Sequence, residues 1–308
     1  MRIGIVTDAH SNPWGQEAVI HFLRKEGIKR EDTFDLGDLV GMFPRCADTV
    51  KIARAESAYG ILGNHDAMLL RYFADNPLRT ERIAALGYNS ADLSKDQEGV
   101  LEYLKSLPTS ISRGGISFVH NSPFHTNPYD ESQMHFRFDL GMKEISEEET
   151  ARPSLASRIL HYSDQLIVRG HAHAASVYTV KRDLITPSPE GVKDATKPRE
   201  GSVSARGDRW EIELDPDHKY VLVSASACGA NTMFTPDSRL DYRPAGLIIE
   251  YDTRQQRGKA TFFTVVERYD HQKFIDSVVG DVRWSQDVFA EAQRQIRHLQ
   301  AGTLLGDH

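Results

Sequence analysis

The sequence predicts an α/β protein in which strands are sandwiched against helices, and three observations carry that reading. Through the first two thirds of the chain, short β-rich apolar runs alternate with amphipathic stretches. Several of those runs stop abruptly at polar side chains, as strands do where an open sheet presents its carboxyl ends to a ligand. The 308 residues, 40% hydrophobic and 26% charged, suffice to bury a large core in one sizeable domain or one domain with an elaboration.

The first strand is expected at Ile3–Val6, and the N-terminus shows neither the apolar h-region nor the small-residue cleavage site of an export signal. Ser11, Asn12 and Pro13 offer a cap and a first-turn proline for a helix over Glu17 to Glu26, whose apolar residues share one face and which Gly27 can end. Ser94 to Gln97 reads as a capping box opening a helix that Pro108 closes. From His125 to Arg158 the alternation gives way to a polar stretch with the acidic run Glu144 to Glu149, an excursion placed to act as a lid, although a solvated helix face accounts for the acidic residues themselves. Thr186 to Ser204, rich in Pro, Gly, Lys and Ser, reads as an exposed loop between hairpin strands. Beyond Glu267, two amphipathic segments, the second over Ser285 to Leu299, read as outer helices. The expected organisation is thus a main domain over 1–265, with the 125–158 insertion, and a helical extension over 266–308.

Composition narrows the function classes. Lys plus Arg is 37 against 44 Asp plus Glu, and a net charge of −7 argues against nonspecific attraction to nucleic acid or an anionic membrane, so any phosphate recognition must be local. No apolar run approaches a membrane span. Two cysteines, Cys46 and Cys228, make no disulfide framework; they read as small core residues in a reducing compartment such as the cytoplasm.

The chemistry lies at the strand ends. Ile3–Val6 runs into Asp8 and His10, and Thr33–Leu36 into Gly37 and Asp38. Tyr59–Leu62 runs into Gly63, Asn64, His65 and Asp66, Ile116–Val119 into His120 and Asn121, and Leu166–Arg169 into Gly170, His171 and His173. One such ending is an ordinary polar loop; five in chain order form a set. Asp, Asn and His without cysteine make a mixed oxygen and nitrogen donor set that suits Mn, Fe or Zn rather than a thiolate zinc site or an all-oxygen calcium site. Glycines precede Asp38, Asn64 and His171, where the backbone must turn tightly or approach closely.

Through Asp8-x-His10, Gly37-Asp38, Gly63-Asn64-His65-Asp66, His120 and Gly170-His171-x-His173, in that order, the sequence resembles the calcineurin-like metallophosphoesterases over about residues 1–180, continuing to the strand pair Tyr220–Ser224 and Gly246–Glu250. Gly41 to Pro44 resembles the small prokaryotic-type branch, in which a Gly-x-x-Pro stretch follows the aspartate. The resemblance implies a four-layer α/β/β/α sandwich of two mixed sheets and a dinuclear centre with metals about 3.5–4 Å apart. Asp8, His10 and His173 would hold one divalent transition metal ion, Asn64, His120 and His171 the other, and Asp38 would bridge them, with manganese favoured over iron or zinc. It further implies hydrolysis of a phosphodiester or phosphomonoester of a small molecule or nucleotide, by attack of a hydroxide bridging the metals. His65 would be the general acid for the departing alkoxide.

Departures from the family pattern bear on the alternatives. The Asp-Arg-Gly of the phosphoprotein phosphatase branch is missing, and with it the carboxylate that orients the histidine there, which weakens a protein phosphatase. A non-catalytic scaffold is the third reading, against which stands the full set of ligand positions and His65. The Asn-Pro-Gly-Ser of the small branch is replaced by Ser224 to Asn231, whose role stays open. Asn12, Arg45, Asn121 and His125 are candidate substrate contacts; a surface or structural salt bridge competes with a phosphate for Arg45 and for Arg169. His135 lies in the excursion with His125, and His21, His161, His218, His271, His298 and His308 read as surface or satisfied core histidines.

Overall fold

The apolar run that opens the chain becomes β1 (Arg2–Val6), buried along all but its first residue, in a computed structural model that describes residues 1–73, 93, 97–123, 159, 161–173, 175–181, 193–194, 209–229, 232–233, 240–241, 243–265, 267–279, 297 and 305–306. β1 sits inside a six-stranded mixed sheet. Parallel neighbours β2 (Thr33–Asp35) and β3 (Tyr59–Gly60) lie on one side, and antiparallel β13 (Ala245–Asp252), β14 (Arg257–Thr264) and β9 (Arg209–Leu214) on the other. A second six-stranded sheet has the order β4 (Ser110–Arg113), β5 (Ile116–Val119), β6 (Leu166–Arg169), β10 (His218–Val223), β7 (Ser176–Lys181), β8 (Lys193–Asp194). β5, β6 and β10 run parallel, and the flanking strands are antiparallel. A small third sheet joins β11 (Thr232–Met233), β12 (Leu240–Asp241) and β15 (Leu305–Gly306).

Side-chain alternation along these strands builds the layers. Ile3, Ile5, Leu247, Ile249 and Phe262 of the first sheet share one buried cluster with Ile116, Phe118, Leu166, Val168, Tyr220 and Leu222 of the second, so the sheets pack face to face. Phe34 and Phe118 stack across that interface with ring centroids 4.1 Å apart. Residues of opposite parity on the first sheet, Val6, Ile248 and Phe263, turn the other way onto helix α1 (Pro13–Lys25), through Ala18, Val19 and Leu23. Helix α5 (His271–Val279) joins this outer cluster with Phe274, Ile275 and Val278. Helices α2 (Cys46–Glu56), α3 (Asn64–Phe73) and α4 (Gln97–Ser106) build a third cluster around Leu39, Val40 and Leu62. On the outer face of the second sheet Ile167, Val221 and Val223 are buried as well.

The fold is the α/β architecture that the alternation predicts, with the two mixed sheets that the resemblance implies, and β5 and β6 coincide with the runs read from the sequence. Two local expectations change. Strand pairing stops at Gly60 rather than Leu62, because Leu62 turns away to donate its amide to Pro108 O at 2.8 Å. Within the Thr186–Ser204 stretch read as a loop, Lys193 and Asp194 pair with Tyr178 and Thr179. The 125–158 excursion, the cap at Ser94 and, but for Arg297, the segment Ser285–Leu299 lie outside the described residues. Among the described residues, no helix is long and apolar enough to cross a membrane.

Candidate metal centre

The loops that follow β1, β2, β3, β5 and β6 meet at one edge of the two sheets, and backbone hydrogen bonds stitch them together. Asp8 N donates to Gly37 O at 2.9 Å, His10 N to Asp38 O at 2.9 Å and Gly170 N to His120 O at 3.1 Å. Close approach explains two of the glycines. A Cβ at Gly63 would stand 2.9 Å from Asp38 Cα and closer still to its N and Oδ1, and one at Gly170 would stand 2.6 Å from Asp8 Oδ2. Gly37 needs its missing side chain on both grounds, with φ of 93° and a Cβ that would stand 2.7 Å from Ile61 O and closer still to Gly63 N, and residues with side chains share the uncommon conformation. Asp8, His10, Asp38, His171 and His173 all have φ between 45° and 68°. A left-handed non-glycine residue costs on the order of 1 kcal/mol or more, and such residues gather at functional sites. Five in one cluster mark a place where the fold gives up stability to aim side chains.

The aim is convergent. The described residues hold three triplets whose potential ligand atoms lie within 4.8 Å of one another: Asp8, His10 and His173; Asp38, His120 and His171; and His10, Asp38 and His65. Asp38 Oδ2 stands 3.7 Å from His10 Nε2 and 3.2 Å from His120 Nε2, between the first two triplets. Asn64 Oδ1 reaches His120 Nε2 at 2.9 Å and His171 Nδ1 at 2.8 Å. Asp8 Oδ1 lies 3.4 Å from His173 Nε2. All seven positions expected to hold metal are therefore brought together.

Carbonyl groups set the tautomers. His10 Nδ1 faces Val40 O at 3.2 Å and His120 Nδ1 faces Leu36 O at 2.7 Å, so each Nδ1 carries a hydrogen and, in the neutral imidazole, Nε2 is the nitrogen whose lone pair points inward. His10 Nε2 then meets His173 Nε2 at 2.8 Å. Facing ring nitrogens beside buried carboxylates, with no thiolate among them, are the donor chemistry of a divalent transition metal, and the residues fit such a cation.

Electrostatics point the same way. Burial opposes charge on Asp8, yet the hydrogen bond and positive charge of His173 outweigh it and hold the carboxyl well below its usual range. Asp38 is likewise buried, and the charges of His120 and His65 keep it low. Burial also opposes charge on His120, but the Asp38 carboxylate overcomes it and raises the imidazole to about 9. His10 is pushed down by burial and by the charges of His65 and His173; His171, by burial and then His120, falls to about 3.

Residues beyond the seven do structural work that sequence reading did not assign. Fully buried Asp66 accepts the backbone amides of Asp38 (2.9 Å), Leu39 (3.0 Å), Val40 (3.2 Å) and Gly63 (3.0 Å), tying the β2 loop to the β3 loop. Burial, then the Asp38 charge, pushes its carboxyl up to about 7. Its place in Gly63-Asn64-His65-Asp66 was the available signal. The Ser224–Asn231 stretch gains a role over its described part: Ser226 Oγ donates to Asp8 O at 2.8 Å, Ala227 N to Thr7 O at 2.8 Å and Ser226 N to His173 O at 3.3 Å. The run of small residues after β10 was the only clue.

The candidate substrate contacts fare differently. Asn12 is corrected: it is fully buried and caps α1, accepting Gly15 N at 3.1 Å and donating to Cys228 O and Tyr269 Oη, so no face is left for substrate. Arg45 pairs with Asp48 at 2.6 Å and lies 5.9 Å over the Trp14 ring. Asn121 is half-buried beside His120. His125 lies outside the described residues. Arg169 is 1% exposed, which removes the surface reading, and its Nε donates to Gly170 O at 3.3 Å.

Two mixed sheets packed face to face, with this constellation at their edge, are the metallophosphoesterase fold, and the chain has that fold. It aligns with the crystal structure of a metallophosphoesterase from Sphaerobacter thermophilus at a TM-score of 0.60 and 20% identity, over 98% of this chain and 99% of that one. A solved structure provisionally described as a diadenosine tetraphosphatase aligns at a TM-score of 0.41 and 18% identity, over 80% of this chain and 88% of the other. In sequence, the chain is 24% identical over 224 residues to an uncharacterized protein of Methanocaldococcus jannaschii, covering 71% of this chain and 73% of that protein. No protein-family model matches the chain.

Proposed function

We propose that the chain is a calcineurin-like metallophosphoesterase, a dinuclear metal-dependent hydrolase of phosphate esters of small molecules or nucleotides. The observation that carries the reading is Asp38: one buried carboxylate oxygen lies 3.7 Å from the Asp8–His10–His173 group and 3.2 Å from the His120–His171–Asn64 group. Two divalent cations in those groups would supply Lewis acidity toward phosphoryl oxygens and make a water acidic enough to attack near neutral pH. The protein's own part is to hold the donors rigid, through Asp66 and the Ser226 loop, and to manage a proton.

His65 has that last task. Its amide donates to Asp38 Oδ1 at 2.8 Å, and its ring stands edge-on to His10 with centroids 4.7 Å apart, beside the donors without being needed by either group. As the bond from phosphorus to the departing alcohol oxygen breaks, protonation by His65 spares that oxygen a full negative charge. Both cysteines are buried outside any disulfide, in keeping with a reducing compartment such as the cytoplasm.

The test is a panel of phosphomonoesters, phosphodiesters and phosphoproteins offered to Mn-loaded protein, with metal content measured in parallel. Turnover of small esters that is abolished by chelation and restored by manganese is the expected result. Bound metal with no turnover of any ester would leave a scaffold, and selective turnover of the phosphoprotein would move the chain to the second reading.

A further inference from the structure

The loop that leaves Asp38 presses its backbone against the imidazole of His65 at Gly41. A Cβ at that glycine would lie 3.0 Å from His65 Cγ, 3.3 Å from His65 Cβ and closer still to Nδ1. Gly41 also has φ of 98°, a conformation that residues with side chains rarely adopt. The His65 ring is held by a second neighbour, His10, whose ring meets it at 81° with centroids 4.7 Å apart. Its backbone is held by the 2.8 Å bond from His65 N to Asp38 Oδ1. Three of the side chain's freedoms are thus taken up: the root by Asp38, and the ring by His10 and by a bare Cα.

We infer that Gly41 is a positioning residue for His65: by carrying no side chain it admits the single ring orientation that turns Nδ1 toward the loop and leaves Nε2 to serve the leaving group. The inference rests on the phosphoesterase reading and adds to it a residue three positions beyond the bridging carboxylate. In the step concerned, the oxygen of water bonds to phosphorus and the bond from phosphorus to the alcohol oxygen breaks. The electron pair left on that oxygen takes the proton of His65, and the proton shed by the attacking water passes to solvent, from which His65 is recharged. A ring swung aside by even one added methyl group would leave the donors of both metal groups in place and lose only the proton delivery.

The experiment is a double-mutant cycle on the full chain. Gly41→Ala is made alone and in His65→Ala, with phenyl and nitrophenyl esters of whichever series, monoester or diester, the panel shows to be turned over. Metal content and melting temperature accompany the rates. Gly41→Ala alone should keep its metal and lose about 10-fold or more on the phenyl ester, the lower part of the range for general acid catalysis, with a much smaller loss on the nitrophenyl ester, which departs without help. In His65→Ala the same change should cost little further on either ester. A glycine that serves only its turn predicts equal losses on the two esters, and equal factors in both backgrounds, and either result overturns the inference.

Stability keeps the test decisive if Gly41→Ala folds poorly. Removing the ring removes the conflict, so the drop in melting temperature caused by Gly41→Ala should shrink in His65→Ala. An equal drop in both backgrounds, or failure of both proteins to fold, would also overturn it. Failure of the functional reading looks different: the parent protein would turn over no ester, or His65→Ala alone would turn over both at the parental rate, before Gly41 is touched.

Discussion

Asp38 is where one atom type decides the chemistry. Asp38→Asn keeps the size of the side chain and an acceptor for the His65 amide, but a neutral amide bridges two cations poorly. Metal content by elemental analysis is expected to fall at both groups rather than one, and retention of the parental metal content would count against the bridge. His173 offers the complementary case. Its φ of 60° suits glycine, and its side chain is 18% exposed, so His173→Gly relieves backbone strain while removing a donor. Bound metal should drop from about two ions to about one, and retention of the parental content by elemental analysis would remove His173 from the donors. The cluster of proposed donors was legible in the sequence because Asp, Asn and His at successive strand ends have few purposes in common. Asn12 was not, because the same side chain suits a helix cap or a substrate contact, and only its burial against Cys228 and Tyr269 decides for the cap.

At the scale of elements, the connections between loops are what hold the centre. Asp66 opens no new bond to any proposed donor side chain, yet it satisfies four buried amides of the loops that carry Asp38 and Asn64. Asp66→Ala strands those amides at about 1–3 kcal/mol for each one left unpaired. Loss of several kcal/mol by denaturant unfolding, together with weakened metal binding, is expected; a stability within about 1 kcal/mol of the parent would mean that water replaces the carboxylate. Helix α5 is tested through Phe274, fully buried and edge-on to Phe43 at 4.7 Å. Phe274→Ala should cost about 3–5 kcal/mol, since the ring fills space between that helix and the loop beyond Asp38; a cost under about 1 kcal/mol would make α5 an appendage. Elements read most clearly where apolar residues run unbroken, as in β5 and β6, because a strand buried on both faces needs no alternation. β9, with the sequence Arg-Trp-Glu-Ile-Glu-Leu, is an edge strand with charged residues at every other place, and its pairing with β14 supplies what its composition does not announce. Asn64 and His65 were read only as following a strand, and they stand in the first turn of α3.

For the molecule as a whole, the centre joins two sheets. Asp8, His10 and Asp38 come from the loops of the first and Asn64 from the start of the helix that follows β3, and His120, His171 and His173 come from the loops of the second. A cation held by both would add to the apolar contact between the sheets, and by linkage the native state would gain about 2.7 kcal/mol with free metal at a hundred times its dissociation constant. Chelation is therefore expected to lower the melting temperature and manganese to raise it in a concentration-dependent way. The same titration on Asp38→Asn should show a much smaller rise. An unchanged melting temperature in the parent on adding metal would mean that the donors converge for another reason.

What the sequence determined by itself is the inventory: which residues are candidates to carry chemistry, which strands they follow, and that the fold alternates strand and helix. Those properties follow from local periodicity and from residue type, which a linear chain displays directly. Tertiary structure alone decided which donors share a group, that Asp38 lies between the groups, that Asp66 and Ser226 brace them, and that Gly41 bears on His65. Each of these is a distance between segments far apart in the chain, set by how two sheets and their loops pack, and no spacing within one segment encodes it.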